Sequence, residues 1–547
     1  MVTNKKDNKV QEKLILQALD ELGQSSQLLW IVLFASILVS LINGLNTMSY
    51  IFIAEVPHYW CAIPELTNVN WTDDQIKNIS IIDECQKYDY NYTYLASLRH
   101  EEAIEYVEDI EFNTSVVSCS SFVFDNSGRS TIVNEWQLVC DRKVYRANTF
   151  LAYAFGKLIG GGILGIAADK YGRKRALIIG LLLQTVAMPL SALVPWFWVY
   201  IVFKFLVGAS VSSMYSTAYT ILSEIATSRR KKVFGAIIDS MFQIGTLVLI
   251  SIAYFSSDWR HLQLILSLFT LLLVIIIWFV PESPRWLMSQ NRHDEAEKLI
   301  EKYYKTINQL SVTTEDPMRT FLPLEKCVLT NNPKKGLKRY FGKSSILFSD
   351  PILRKNIIIM YYTFFATFSV SYYLILNIDI FETNRYIYSS IGAIIELIAL
   401  TCVPAILMFF SCQKASVLLH VILSISMLSI VTISKENIYT AMVMTMISKF
   451  FSTACFTTIA LFCLELFPPG VRNSAFGTSL VMGQIGSMTA PYIVDLLGQV
   501  SWWAPPALCA TLSFTTGLFI LILPKNELHN KNNIKIKDEI PLKNNRT

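Results

Sequence analysis

Apolar stretches of about 20 residues, long enough to cross the hydrocarbon core of a bilayer as a helix, recur twelve times along the chain. They begin near Leu28, Ala147, Ala176, Trp198, Phe234, Leu262, Asn356, Tyr388, Ala415, Ile438, Ser474 and Trp503. Polar and apolar positions do not alternate within them, and unpaired backbone is not tolerated in hydrocarbon, so the pattern predicts helices and not barrel strands. The expected fold is an all-α integral membrane protein with twelve transmembrane helices. Two long polar segments interrupt the series. The reading divides the chain into a cytoplasmic N-terminus (1–27), a first helix (28–53), a glycosylated extracellular loop (54–145), helices 2 to 6 (146–280), a cytoplasmic linker (281–354), helices 7 to 12 (355–523) and a cytoplasmic tail (524–547).

Basic residues orient this arrangement. Lys170, Arg173, Lys174 and Arg175 follow the second run, and Arg229, Arg230, Lys231 and Lys232 follow the fourth. The positive-inside rule places both clusters in the cytoplasm, and both termini with them. Residues 1–27 carry Lys5, Lys6 and Lys13 but no small-residue cleavage site, so the first run is expected to be a retained anchor. The 54–145 segment then lies outside. It contains four N-glycosylation sequons, at Asn70, Asn78, Asn91 and Asn113, which are used only on the lumenal side. Cys61, Cys85, Cys119 and Cys140 fall in the same segment, where an oxidising compartment permits disulfides; four cysteines allow three pairings. The remaining cysteines, Cys327 among them, show no metal-ligand spacing, and no cofactor is expected. In the linker, Asp294 to Lys305 has apolar residues at helical spacing with acidic residues early, a short amphipathic helix against the inner face.

Composition narrows the class. Of the 547 residues 52% are hydrophobic and 16% charged, against roughly 25% charged in a soluble domain. The net charge of +5 is distributed as in a membrane protein, so a lipid bilayer and not nucleic acid is the expected partner. Nothing in the chain specifies an oligomeric state. No G-x-x-x-x-G-K-[ST] loop is present, so ATP-driven transport is unsupported, and no nucleophile and base constellation points to an enzyme.

The stretch from Gly156 to Lys174 contains Gly160, Gly162 and Gly165 in a G-x-G-x-x-G pattern. A dinucleotide loop of that form follows a strand, whereas these glycines sit inside a helical run. Their spacing, Gly156/Gly160 and Gly161/Gly165, instead places small residues on one helix face for close packing. Six runs, a linker and six runs imply two similar halves. An echo supports this: Ser223-Glu224 after the fourth run and Leu464-Glu465 after the tenth are each followed by basic charge.

Gly165-x-x-x-Asp169-Lys170-x-Gly172-Arg173-Lys174 resembles the loop signature of the major facilitator superfamily. Cys119 to Asp141, Pro281-Glu282-Ser283-Pro284-Arg285-Trp286-Leu287, and Glu465-Leu466-Phe467-Pro468 with Val471-Arg472-Asn473 are similar to the organic-ion transporters of solute carrier family 22. The resemblance runs from the first run to the twelfth. It implies two pseudo-symmetric six-helix halves rocking about a central substrate site. It also implies a gate built from Asp169, Gly172, Arg173, Glu224, Glu465 and Arg472, with Asp169 near the N-terminus of the eleventh helix. The counterpart between the eighth and ninth runs, Phe410 to Ser416, lacks the glycine and arginines of that signature.

For the substrate, the resemblance points to Tyr215 and Tyr219 of the fourth helix and Phe365 and Tyr372 of the seventh, an aromatic lining suited to organic cations. Glu396 is expected to be a charged site residue or to pair with Lys449, because an intramembrane carboxylate faces a cavity or a partner. In the eleventh helix relatives carry an aspartate or an arginine where this chain has the neutral Gln484. Lys204 stands where an arginine is common. Lys157 in the second helix favours anions, with Asp239 as its expected neutralising partner. The function so implied is polyspecific secondary transport of small organic ions at the plasma membrane, leaning to cations or zwitterions. An organic anion or carnitine-like carrier, and a non-transporting receptor or scaffold, are the alternatives.

Overall fold

The computed structural model of the chain describes residues 26–110, 115–125, 128–290, 292–310, 347–378, 384–433, 437–468 and 471–524. Lys5, Lys6, Lys13, Asn113, Cys327 and the tail from 525 onward lie outside them. Among the described residues, twelve helices are long and apolar enough to span a membrane: α1 (Gln27–Ile53), α2 (Cys140–Tyr171), α3 (Arg173–Leu193), α4 (Phe197–Ile225), α5 (Val233–Phe255), α6 (Trp259–Phe279), α7 (Pro351–Leu376), α8 (Arg385–Phe409), α9 (Cys412–Thr432), α10 (Tyr439–Leu466), α11 (Ser474–Leu497) and α12 (Ala504–Leu521). Large apolar side chains such as Leu193, Phe255, Ile275 and Phe409 remain exposed on their outer faces. In a soluble protein that would be a liability; on spanning helices it is the surface lipid covers. Trp196, Trp198, Trp278 and Trp503 are exposed at helix ends, as an interfacial aromatic belt requires.

Packing repeats between the halves. In the first, α1 packs on α5, α2 on α4, and α3 on α4 and α6; in the second, α7 packs on α11, α8 on α10, and α9 on α10 and α12. The pairs α2/α11 and α5/α8 join the halves and are exchanged by the same pseudo-two-fold relation. The two-half architecture expected from the run count is therefore present. The amphipathic linker helix runs from His293 to Leu310, with Ala296 and Tyr303 buried, and it packs against α1.

One end of the bundle, the domain end, carries the segment between α1 and α2; the other, the basic end, bears the basic cluster after α2. The domain pairs β1 (Tyr59–Cys61) antiparallel with β5 (Phe122–Phe124), and β2 (Ile81–Asp83), β3 (Gln86–Tyr88) and β4 (Val116–Ser118) form a second antiparallel sheet. Of the three pairings open to its cysteines, the structure takes Cys61–Cys119 and Cys85–Cys140. Asn70, Asn78 and Asn91 are exposed. The domain is tied to the bundle by Glu135, whose carboxylate accepts from Trp259 Nε1 at 2.9 Å and pairs with Arg260 of α6. The regular helix of α2 starts at Lys143, inside the segment assigned to the loop, because Arg146 finds buried acceptors there.

The glycines of α2 divide. A Cβ on Gly156 would lie 2.1 Å from the Phe205 carbonyl oxygen, and one on Gly160 2.1 Å from that of Ala209, so α2 and α4 touch backbone to backbone. Gly161 meets only the Ser212 hydroxyl, while Gly162 and Gly165 face open space. The first small-residue pair thus packs as expected and the second does not. Gly160–Leu164 is a π-helical turn, which shifts the register of the residues beyond it.

Candidate substrate site between the two halves

The site is assembled by α5, which must show one face to α1 and another to the second half. Gly44 of α1 and Gly245 of α5 allow contact with the Phe242 and Leu41 carbonyls respectively, and Ser40 Oγ donates to the Ile238 carbonyl at 2.6 Å. Residues 238, 242 and 245 therefore face α1. Gly235, Asp239 and Gln243, spaced one turn apart, lie about a quarter-turn round the helix at 100° per residue, on a flank beside the α1 contact.

Gln243 crosses to the second half: its Nε2 donates to Glu396 Oε2 of α8 at 2.7 Å. Lys449 of α10 attracts the same carboxylate. It reaches there past Gly392, where a Cβ would stand 2.8 Å from the Lys449 ammonium, and it lies 4.9 Å from the centre of the Tyr388 ring. Glu396 and Lys449 are both buried, and no direct ion pair joins them among the described residues.

On α4, Tyr215 donates its hydroxyl to Asp239 Oδ1 at 3.1 Å, and the Tyr215 and Tyr219 rings stack with centroids 6.4 Å apart. Tyr219 and Asp239 are both exposed, although they sit on spanning helices. From the second half, Tyr372 of α7 packs on Phe150 of α2 with ring centroids 5.8 Å apart. Lys157 lies beside the Tyr372 and Tyr153 phenols. The expected neutralisation of Lys157 by Asp239 is not seen: Asp239 is engaged by Tyr215 of α4 and Lys157 by the tyrosines of α2 and α7. Phe365 is half-buried, its carbonyl against Gly486 of α11. Gln484 is half-buried as well, and its amide oxygen has no hydrogen-bond partner among the described residues. Lys204 does not reach this space. It is buried within the first half, donating to Gln263 Oε1 of α6 at 3.1 Å.

At the basic end, the residues of the loop signature are bound up within the first half. Arg173 pairs with Asp169 at 2.6 Å and with Glu224 of α4 at 3.1 Å. Asp169 is exposed and its stretch of α2 packs chiefly on α3 and α4, so it does not sit on the N-terminus of α11 in this conformation. The carboxylate of Glu282, from the Pro-Glu-Ser-Pro-Arg stretch, accepts from the backbone N–H of Arg173, Lys174 and Ser283 and so fixes the start of α3. Trp286 Nε1 donates to the Asp169 carbonyl at 2.9 Å. In the second half Glu465 is exposed, and Arg472 Nε donates to the Phe467 carbonyl at 3.2 Å. Gln413, from the stretch that lacks the signature, donates to the Ile520 and Leu523 carbonyls and so closes the end of α12.

At the domain end the halves are joined. Arg146 of α2 pairs with Asp495 of α11 at 2.9 Å, both buried, and donates to the Ala54 carbonyl. Tyr492 donates to Asn148 Oδ1 at 2.6 Å, and Arg385 of α8 pairs with Glu55 at 3.1 Å while donating to the Ile51 carbonyl. These contacts were not among the expected site residues. Asp495, a carboxylate inside an apolar run, was the available signal.

Two repeated six-helix halves, closed against each other at one end and enclosing charged and aromatic side chains at mid-span, define a membrane transporter. The chain matches the family model described as "Sugar (and other) transporter" over residues 79–531, and it belongs to that family. It is 28% identical to the "Organic cation transporter protein" of Drosophila melanogaster, covering 89% of this chain and 88% of that one. To the human "Organic cation/carnitine transporter 2" it is 28% identical over 93% and 90% of the two chains, and to the rabbit (Oryctolagus cuniculus) "Organic anion transporter 3" 27% over 73% and 72%. Among solved structures, the partially occluded inward open xylose transporter XylE from E. coli matches with a TM-score of 0.58 at 14% identity, covering 91% of this chain and 98% of that one. The resemblance to organic-ion transporters and the major facilitator fold are thereby borne out, and the protein stands among transporters and not enzymes.

Proposed function

We propose that this protein is a plasma-membrane, polyspecific secondary transporter of small organic ions, favouring cations or zwitterions and working by alternating access. The observation that carries this reading is the contact of Gln243 with Glu396, which joins the halves at mid-span. A substrate bound there touches both halves, so its binding is coupled to their relative movement. In this reading the domain end and its sequons face outside, the basic end and both termini face the cytoplasm, and the cavity is closed to the outside. Tyr215, Tyr219, Phe365, Tyr372, Glu396, Lys449 and Gln484 line the substrate path. Asp169, Gly172, Arg173, Glu224, Glu465 and Arg472 form the cytoplasmic gate, whose partners change when the halves close there. The names of the relatives agree on organic ions but not on the sign of the charge, which is left to side chains of the cavity.

The membrane potential supplies about 2.3 kcal/mol per unit charge for each 100 mV, enough to concentrate a cation in a cell that is negative inside. The test is uptake into cells expressing the protein, comparing labelled tetraethylammonium, carnitine and benzoate, each with and without potassium depolarisation. Saturable tetraethylammonium or carnitine uptake is expected, the former falling on depolarisation. Benzoate uptake alone would favour the anion reading, for which Lys157 beside Tyr372 is the specific support. No uptake of any of the three by protein shown to be at the surface would overturn the transport reading for these classes.

A further inference from the structure

Neither of the two positions expected to set the substrate's charge offers an unshared charge. Gln484 is neutral, and the charge of Glu396 is offset by Lys449 and held by Gln243. Asp239 is different. It lies six residues inside the basic end of α5, which begins at Val233, about 9 Å deep at 1.5 Å per residue. It lies one turn from Gln243 on the same flank of α5, yet it is exposed and, among the described residues, makes no ion pair. Its Oδ1 accepts from the Tyr215 hydroxyl at 3.1 Å, and Tyr215 stacks on Tyr219. One turn earlier, Gly235 gives Tyr219 its place: a Cβ there would stand 3.3 Å from the Tyr219 hydroxyl. An exposed carboxylate on a spanning helix, with no ion pair among the described residues and beside two stacked tyrosines, is an arrangement that can receive an ammonium group.

We propose that Asp239, with the Tyr215 and Tyr219 rings, is the seat for the positively charged amine of the substrate. This deepens the transport reading and rests on it. The carboxylate supplies the charge that the eleventh helix of this chain lacks. The rings supply apolar area and a negative face to a quaternary or protonated amine, and the Tyr215 hydroxyl fixes the carboxylate's orientation. A permanent cation and the cationic end of a zwitterion are served by the same chemistry.

The test is uptake kinetics of tetraethylammonium and of carnitine in cells expressing the full chain, with surface protein quantified by biotinylation. Asp239→Asn retains an oxygen to accept from Tyr215 and removes only the charge. Its expected effect is a rise in KM of about tenfold or more, the loss of one charge-assisted contact, with little change in Vmax per surface molecule. Asp239→Glu should recover part of that affinity, which a purely structural role would not predict. Where Asp239→Asn fails to reach the surface, thermal stabilisation of the detergent-purified wild type and Asp239→Glu proteins by tetraethylammonium decides, stabilisation of both being expected and of neither overturning the seat. Wild-type uptake of a cation or zwitterion with an unchanged KM in Asp239→Asn overturns the seat and leaves the transport reading standing. A wild type that moves benzoate alone, or none of the three, overturns the reading on which the seat rests.

Discussion

Glu396 and Lys449 lie buried on α8 and α10 of the second half, near enough for each to feel the other's charge. Moving a charge out of water costs several kcal/mol unless a partner and hydrogen bonds offset it, and removing one member of such a pair costs about 3–5 kcal/mol. Glu396→Gln alone should therefore lower the melting temperature of the detergent-purified protein, as should Lys449→Met alone. The double variant should recover most of the loss, since it leaves no buried charge behind. Losses that simply add in the double variant would show that the two residues do not interact. The sequence identifies both residues but does not choose between a substrate site and a pair. The choice depends on Gly392, which lets the Lys449 side chain pass, and on Gln243, which arrives from the other half. Contacts between helices more than a hundred residues apart have no local signature. The sequence also offers Lys157, an opposite charge in the same half, as the partner of Asp239; it gives no sign of the tyrosine that Asp239 meets, because even a contact between consecutive helices depends on how their faces pack.

At the scale of elements, the turn between α2 and α3 depends on two residues of different kinds. Gly172 has φ +116°, where a side chain is strained, and an added Cβ would stand 2.5 Å from Glu282 Oε2. Glu282 in turn lies at the N-terminus of α3, accepting from the Arg173 and Lys174 N–H groups, where a negative charge is favoured by the helix dipole. Glu282→Ala removes that cap and should cost about 1–2 kcal/mol, read as a fall in melting temperature. The glycines of α2 offer a sharper comparison. Gly160→Ala would drive a methyl group into the Ala209 carbonyl and push α4 away, whereas Gly162→Ala, two residues on, meets nothing within 4 Å. Gly160→Ala should reduce folded protein at the surface, and Gly162→Ala should match the wild type or exceed it slightly; equal behaviour of the two would refute the close α2/α4 packing. Helix existence was legible throughout because a membrane span is written in twenty consecutive residues. The face a glycine presents was legible only as far as Gly160, because the π turn that begins there rotates everything after it.

The whole molecule is two halves whose contacts can be exchanged but not all kept. Arg146 with Asp495, Tyr492 with Asn148 and Arg385 with Glu55 hold the domain end shut. The six-plus-six repeat could be counted from the sequence, and the basic-end signature could be matched to a known one. The domain-end contacts could not be read in advance, because their partners are brought together only by the α2/α11 packing. If the halves alternate, these contacts must break for the site to open outward, so their strength sets how much of the population faces outward at rest. Asp495→Asn weakens the principal pair while leaving an acceptor for Arg146. It should therefore raise the outward-facing fraction. In a background where the native unpaired cysteines are replaced, a cysteine introduced at Gln484 reports that fraction through its rate of labelling by a membrane-impermeant maleimide added outside. Asp495→Asn should increase the rate several-fold, since about 1.4 kcal/mol of lost latch energy shifts a two-state balance tenfold. External substrate should slow the labelling by occupying the site. An unchanged rate, in protein that still transports, would mean that Arg146 and Asp495 serve the packing of α2 on α11 and that the outer end opens elsewhere.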